Sequence, residues 1–231
     1  DPFRMTMDSY WKYQAEKERK LYAIIDAFTQ NNGHLGVTDA RYINALKLFL
    51  TGVSPLEYMA HRGFAHVGRQ YPGAGPRVAC LMQSLDEIRH SQTQIHSLSN
   101  YNKHYNGFQN WRHQHDRVWY LSVPKSFFDD AVSAGPFEFI VAIGFAFEYV
   151  LTNLLFVPFI SGAAYNGDMG AMAFGFSAQS DESRHMTLGL EIIKFILEQD
   201  PDNLPIVQAW LDKWFWRGYR VLTLVAMMMD Y

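Results

Sequence analysis

Cysteine occurs once in the 231 residues, at Cys80, so no intramolecular disulfide is available and a reducing cytoplasmic setting is expected. Charge is scarce and nearly balanced, with charged residues at 19% and a formal net charge of −3. No basic stretch is interleaved with aromatics, which argues against a nucleic-acid partner. A glycine-rich nucleotide-binding motif is also missing. No tandem repeat of about 20–50 residues is present, and no strand pair with alternating polarity stands out. The opening Asp1-Pro2-Phe3-Arg4 does not begin a secretory leader. The first residue is not Met and the end falls inside the apolar helical run 221–229, so a fragment of a longer polypeptide is expected.

What is abundant is apolar and aromatic. Hydrophobic residues reach 48% and aromatics 16%, enough for one large packed domain over residues 1–231. The pattern is helical almost throughout. Helices are expected over about 7–29, charged early and apolar later, and over 38–70 from the capping pair Thr38-Asp39. Pro55, near Gly52 and Ser54, predicts a kink or local unwinding there. Residues 71–76, Tyr-Pro-Gly-Ala-Gly-Pro, are the strongest turn signal. Helices follow over 77–105, 125–132, 136–160, from beyond Asp168 to 199, and from 204 onward. Residues 106–122 read as an ordered, irregular connection.

Two stretches repeat one pattern, Asp86-Glu87-Ile88-Arg89-His90 and Asp181-Glu182-Ser183-Arg184-His185. On a helix, a Glu and the His three positions later share a face and suit one metal ion. One such pair is weak evidence, whereas two inside a longer shared pattern are hard to dismiss. Lone carboxylates complete a symmetry. Glu57 and Glu87 each lie 15 residues from Pro72 (72 − 57; 87 − 72), so both stand about 22 Å from the turn at 1.5 Å per residue. Glu148 and Glu182 bracket Tyr165 in the same way, 17 residues on each side (165 − 148; 182 − 165). Four Glu and two His at one level of a helical bundle is the dimetal carboxylate arrangement of ferritin-like proteins. The expected fold is therefore all-α, a ferritin-like four-helix bundle with flanking helices around a di-iron carboxylate core. Oxygen-rich bridging sites favour iron or manganese over zinc.

Residues 139–164 are long and apolar enough to span a bilayer. They contain Glu148, Thr152 and Asn153, and a central carboxylate costs about 2.5–3.5 kcal/mol in a membrane helix. A buried core helix with no membrane is the better reading, and Glu148 then requires a cation. Asp86 and Asp181, each four residues before a His, are natural acceptors for the imidazole N–H groups. Pairing of each Asp with the adjacent Arg89 or Arg184 is the plainer alternative. Thr152, four residues after Glu148, either points into the same cavity or bonds back to its own helix. Val53, Ala60, Phe127, Phe147 and Phe156 are candidates for an apolar pocket beside the site, although such residues are more often plain core.

These residues resemble a known family. Leu85-Asp86-Glu87-Ile88-Arg89-His90-Ser91-Gln92, Phe147-Glu148-Tyr149-Val150-Leu151-Thr152-Asn153 and Phe176-Ser177-Ala178-Gln179-Ser180-Asp181-Glu182-Ser183-Arg184-His185 are similar to the large (alpha) oxygenase subunit of bacterial multicomponent monooxygenases. Val123-Pro124-Lys125-Ser126-Phe127-Phe128-Asp129-Asp130 and Lys213-Trp214-Phe215-Trp216-Arg217-Gly218-Tyr219 extend the likeness over essentially the whole chain, closest to the phenol hydroxylases. Alpha subunits of that family are longer, so the chain corresponds to their catalytic bundle.

The resemblance implies two Fe ions, one held by Glu57, Glu87 and His90, the other by Glu148, Glu182 and His185. Asp86 and Asp181 would orient the imidazoles, crossed between the halves. Thr152 would assist proton delivery, and Asn153 and Gln179 would be polar neighbours tied to partner gating. The implied reaction hydroxylates phenol to catechol with O2. Electrons would come from NADH through a separate FAD and 2Fe-2S reductase, with beta and gamma subunits, paired alpha subunits and a small regulatory protein as partners. Toluene or alkene oxidation within the same family, and a ferritin-like iron-binding protein, are the alternatives.

Overall fold

The computed structural model describes residues 10–109 and 111–229; of these, the side chains of residues 111, 114, 150, 151, 153, 228 and 229 lie outside the description. Helices account for nearly all the described chain, and no strand occurs among the described residues. The long elements are α1 (Tyr10–Gln30), α2 (Ala40–Gly68), α3 (Ala74–Tyr101), α7 (Asn153–Tyr165), α8 (Met169–Gln199) and α9 (Leu204–Met229). Shorter pieces are α4 (Trp111–Arg117), α5 (Ser122–Ser133) and α6 (Pro136–Phe139). A π-helical segment, Ile140–Thr152, joins α6 to α7.

Local chemistry accounts for the boundaries. Asp39 caps α2 by accepting from the backbone N–H groups of Arg41 and Tyr42, and Asp168 caps α8 by accepting from Ala171. Asp168 is itself buried and accepts from the hydroxyls of Tyr42 and Tyr101, which ties the start of α8 to α2 and α3. α3 starts at Ala74, inside the expected turn, because Pro76 falls in its first turn, where a missing N–H costs nothing. Of the kink or unwinding expected at Pro55, unwinding does not occur: α2 runs helical through it. The irregular 106–122 segment contains α4 and a 3₁₀ turn, Trp119–Leu121.

The long helix expected over 136–160 is three pieces, and the π-helical stretch is the departure. Its i→i+5 bonding widens the turn and is typically found at functional sites. The 30 residues Pro136–Tyr165 are long and apolar enough for a membrane span. They instead lie against α8 and α9, with Ile140, Val141, Ala142, Ile143 and Ala146 fully buried. α2, α3, the α6–π–α7 rod and α8 form the bundle; α1 and α9 flank it. Stacked Phe49 and Phe159 (centroids 4.4 Å apart) and edge-on Phe64 and Phe139 (5.0 Å) knit α2 to the rod.

The rod and α8 meet backbone to backbone. A Cβ placed on Gly189 would sit 2.2 Å from the carbonyl oxygen of Gly144, so only glycine permits this approach. Gly189→Ala is expected to push the Glu148-bearing segment off α8, at a cost of about 3 kcal/mol, lowering the unfolding midpoint by roughly 6–12 °C. A thermal melt unchanged within about 2 °C would mean that the two backbones are not held this closely.

Candidate metal centre

Each bundle element contributes to one buried cluster. α2 brings Glu57, α3 brings Glu87 and His90, the π-helical segment brings Glu148, and α8 brings Glu182 and His185. Glu57, Glu87 and His90 present ligand atoms all within 4.8 Å of one another, and so do Glu87, Glu148 and His185. Glu87 belongs to both groups. Glu182 lies beside the second, 3.5 Å from His185 Nδ1. The paired stretches are thus brought face to face, with imidazole centroids 6.2 Å apart.

The donor set fits metal ions. Both Nδ1 atoms, of His90 and His185, are buried without a hydrogen-bond partner. Each faces carboxylate oxygens, His90 at 3.8 Å from Glu57 and Glu87, His185 at 3.1 Å from Glu148. A buried lone pair among converging carboxylates needs a cation to complete it. The opposite nitrogens are occupied. His90 Nε2 lies 3.1 Å from Asp181 Oδ2, and His185 Nε2 lies 3.2 Å from Asp86 Oδ2. With Nε2 turned to the aspartate, Nδ1 is the ring atom available to a metal ion. The partner of each imidazole is the Asp of the other stretch, so the two halves are crossed as the family resemblance implies.

Arg89 and Arg184 do more than neutralise the neighbouring Asp. Arg89 pairs with Asp86 at 2.7 Å and approaches Asp181 at 3.4 Å, while Arg184 contacts both aspartates at 2.5 Å. Helix α1 closes this side. Tyr10 donates to Asp86 (2.9 Å), the Gln14 amide donates to Asp86 (3.1 Å) and to Asp181, and Lys17 pairs with Asp181. One face of α1, carrying Tyr10, Gln14 and Lys17, therefore turns inward onto two buried carboxylates, while Lys12, Glu16, Arg19 and Lys20 stay exposed.

Electrostatics follow from the crowding. Burial pushes Glu148 up to about 7, with His185 pulling it back and Glu182 adding to the rise. Burial likewise carries Glu87 well above the usual carboxylate range, against the pull of His185 and with Glu148 adding to it. Burial alone would depress His90, yet Asp181 and Glu57 outweigh it and raise it to about 9. Asp181 moves down despite its burial, held ionised by His90, Lys17 and Arg184.

These shifts set a pH dependence for the metal-free protein. The Glu148 contribution to stability is complete below about 4.5 and is lost as pH rises through about 7; that of His90 is complete below about 6.5 and lost through about 9. The Asp181 contribution has the opposite sign, present above about 3.8 and lost in acid. Iron(II) loading must displace the protons on Glu148 and His90, so it is expected to release more acid at about pH 6.5 than at about pH 9. Titration calorimetry in buffers of different ionisation enthalpy measures this; a proton count independent of pH would contradict the assigned shifts.

A cavity of about 60 Å3 opens onto Glu57, Glu87, Glu148 and Glu182. Its apolar wall is Val53, Leu56, Ala60, Phe128, Phe147, Leu155, Phe156, Val221 and Val225, with Thr152 on it. Of the expected pocket residues, Val53, Ala60, Phe147 and Phe156 line it. Phe127 does not: its ring packs against Phe147 (5.3 Å) and Trp214 (5.6 Å) in the core, and Phe128 takes the wall position. Both readings of Thr152 hold together, since it lines the cavity while its hydroxyl donates to Phe147 O at 3.2 Å. That bond reaches five residues back, as the π-helical turn dictates. Gln179 is half-buried on α8, and the side chain of Asn153 lies outside the described residues.

Two buried glutamines, not among the residues expected from the sequence, also reach the cluster. Gln83 donates to Glu148 at 2.8 Å, and Gln94 donates to Glu57 at 3.2 Å. Their signal was spacing: Gln83, Glu87, His90 and Gln94 follow one another at four, three and four residues, a single face of α3.

Carboxylates and imidazoles converging inside a helical bundle define a ferritin-like dimetal protein, and its apolar cavity sets it apart from a storage cage. A family model described as methane/phenol/alkene hydroxylase matches residues 1–200, and the chain belongs to that family. It is 73% identical to the oxygenase component of phenol 2-monooxygenase from Pseudomonas sp. (strain CF600), over all of this chain and 45% of that protein. It is 29% identical to the alpha subunit of the alkene monooxygenase oxygenase component from Xanthobacter autotrophicus, over all of this chain and 46% of the relative. The chain thus spans about half the length of these curated relatives. The crystal structure of xenon-pressurised phenol hydroxylase from Pseudomonas sp. OX1 superposes with a TM-score of 0.93 at 74% identity, covering 100% of this chain and 47% of that one. Toluene-bound toluene 4-monooxygenase superposes with a TM-score of 0.87 at 18% identity, covering 96% of this chain and 75% of that one, a likeness of fold.

Proposed function

We propose that this chain is the catalytic bundle of a phenol hydroxylase alpha subunit, converting phenol to catechol with O2 at a di-iron centre. The observation that carries the reading is Glu87, common to two ligand groups on the floor of an apolar cavity. The identity to a phenol 2-monooxygenase component supports phenol over toluene or an alkene. Electrons come from NADH through a separate reductase bearing FAD and 2Fe-2S. Beta and gamma subunits, a second alpha subunit and a small regulatory protein complete the cytoplasmic assembly.

Glu57, Glu87 and His90 would hold one iron, and Glu148, Glu182 and His185 the other, with Glu87 in reach of both groups. Bound there, the iron pair supplies O2 activation, which the side chains alone lack. The chain provides the rest. Asp181 and Asp86 hold the protons at Nε2 of His90 and His185, so that both rings keep one tautomer and one direction. Phe128, Phe147 and Phe156 exclude water and orient an aromatic ring. Thr152 Oγ1 holds a proton on the cavity wall, available to the reacting oxygen once its bond to Phe147 O is exchanged. A benzene ring occupies an apolar cavity of roughly 150 Å3, more than the 60 Å3 present, so entry requires wall side chains to swing aside.

The test is iron content and oxygen-dependent catechol formation by the full-length subunit with its partners and reductase. Two irons per alpha subunit and catechol from phenol are expected. Fewer than one iron would overturn the di-iron reading, whereas turnover of toluene without phenol would overturn only the substrate.

A further inference from the structure

Gln83 is 2% exposed and stands four residues before Glu87 on α3. Its amide Nε2 donates to both carboxylate oxygens of Glu148, at 2.8 Å each, and lies 3.3 Å from Glu87 Oε1. The other end of the same amide is left over: Oε1 is buried without a hydrogen-bond partner. Nη1 of Arg184 is buried and unpartnered as well. Both side chains line one small cavity, with Asp86 and His185, of about 10 Å3. That is close to the space one water needs, roughly 10–15 Å3, and buried waters sit where polar groups would otherwise go unsatisfied. An orphaned acceptor and an orphaned donor on one water-sized cavity meet that description.

We propose that Gln83 is a positioning residue for Glu148, steadied by a buried water that joins its Oε1 to Nη1 of Arg184. The proposal rests on the di-iron reading and adds a connection to it. Arg184 binds Asp86, and Asp86 fixes His185. A closed loop then runs from Glu148 through Gln83, the water, Arg184 and Asp86 to His185. Arg184 also reaches Asp181, the partner of His90, so the bond from Gln83 to Glu148 is what favours this metal half. The Glu57 half has a thinner support, a single 3.2 Å bond from Gln94. A leucine at position 83 would leave Glu148 without this donor, and a glutamate would set a further carboxylate against it.

The test uses the full-length alpha subunit assembled with its partners and loaded with iron. Iron removal by a ferrous chelator is followed as two phases, and Mössbauer spectra of the two sites are recorded. Gln83→Leu is expected to speed loss of one iron by about 10–100-fold and to alter one Mössbauer site, leaving the other phase within about threefold. Wild-type release of both irons, or equal acceleration of both, would overturn the proposal, since a merely structural role moves both alike. Should Gln83→Leu fail to fold, the near-isosteric Gln83→Glu permits the same comparison. A high-resolution crystal structure should show the water between Gln83 Oε1 and Arg184 Nη1, and a dry cavity would overturn that link. A wild-type protein with fewer than one iron overturns the di-iron reading and this proposal with it; an iron-loaded protein with unaffected variants overturns this proposal alone.

Discussion

Glu87→Ala is expected to strip both irons, lowering the content from two per alpha subunit to well under one, with hydroxylation falling more than about 100-fold. Glu87 alone belongs to both ligand groups, so its loss leaves neither complete. Loss of Glu57 or Glu148 breaks one group and leaves the other intact, so each should retain about one iron. The comparison is made by iron analysis of the three variants purified side by side. Equal retention by Glu87→Ala and Glu148→Ala would sink the shared role.

The same residue should show the opposite sign in stability. Three buried carboxylates, Glu87, Glu148 and Glu182, and the half-buried Glu57 face one another in the metal-free protein, and burial carries Glu87 well above the usual carboxylate range. As pH rises above about 4.5, ionising it costs more in the folded than in the unfolded chain. Metal-free Glu87→Gln is therefore expected to melt above the metal-free wild type near pH 8, with the gap closing toward pH 4.5. A gap that widens in acid would reverse the assignment. The site is destabilising until cations fill it, which is how a metal centre couples loading to folding.

Asp181→Ala is the second large effect, and here stability falls. Asp181 is buried and receives Lys17, Arg89, Arg184, the Gln14 amide and His90. Removing it leaves three cations facing one another without this carboxylate. Breaking a buried ion pair costs about 3–5 kcal/mol. The cations are 13–19% exposed at their side chains, so water softens the loss toward the lower figure. A fall in melting temperature of roughly 6–12 °C follows for a domain of this size. The iron beside His90 should also bind about 10–100-fold more weakly, because the ring loses the acceptor that fixes its tautomer. Asp181→Asn keeps an acceptor for His90 while losing the charge, so it should recover part of the affinity and little of the stability. A melt within about 2 °C of wild type for Asp181→Ala would show that the cations find other partners.

Much of the fold was legible because helices announce themselves locally. Asp39 and Asp168 are caps with a mechanism, and the 71–76 turn and Asn166-Gly167 separate the long rods. The six candidate ligands were legible for a related reason: equal distances from two turns put residues at equal heights on antiparallel helices. The π-helical stretch was not legible. An apolar run such as Ile140–Ala146 carries no period that separates i→i+4 from i→i+5 bonding, and close packing against Gly189 holds it in place. Phe127 and Phe128 show the same limit at the scale of one residue. Both are aromatic, both are buried, and only the direction of α5 against Trp214 decides which ring meets the cavity.

By itself, then, the sequence determined an all-helical chain and the levels at which the candidate metal ligands stand, since these depend on spacing along a rigid helix. Tertiary structure alone decided that Tyr10, Gln14 and Lys17 of α1 turn inward onto Asp86 and Asp181, and that α9 supplies Val221 and Val225 to the cavity wall. It also gave the geometry of the crossed Asp–His pairs, which only the family resemblance had implied. Those outcomes depend on how helices rotate about their own axes and cross one another. Such rotations are set by packing among residues far apart in the chain, and no local pattern encodes them.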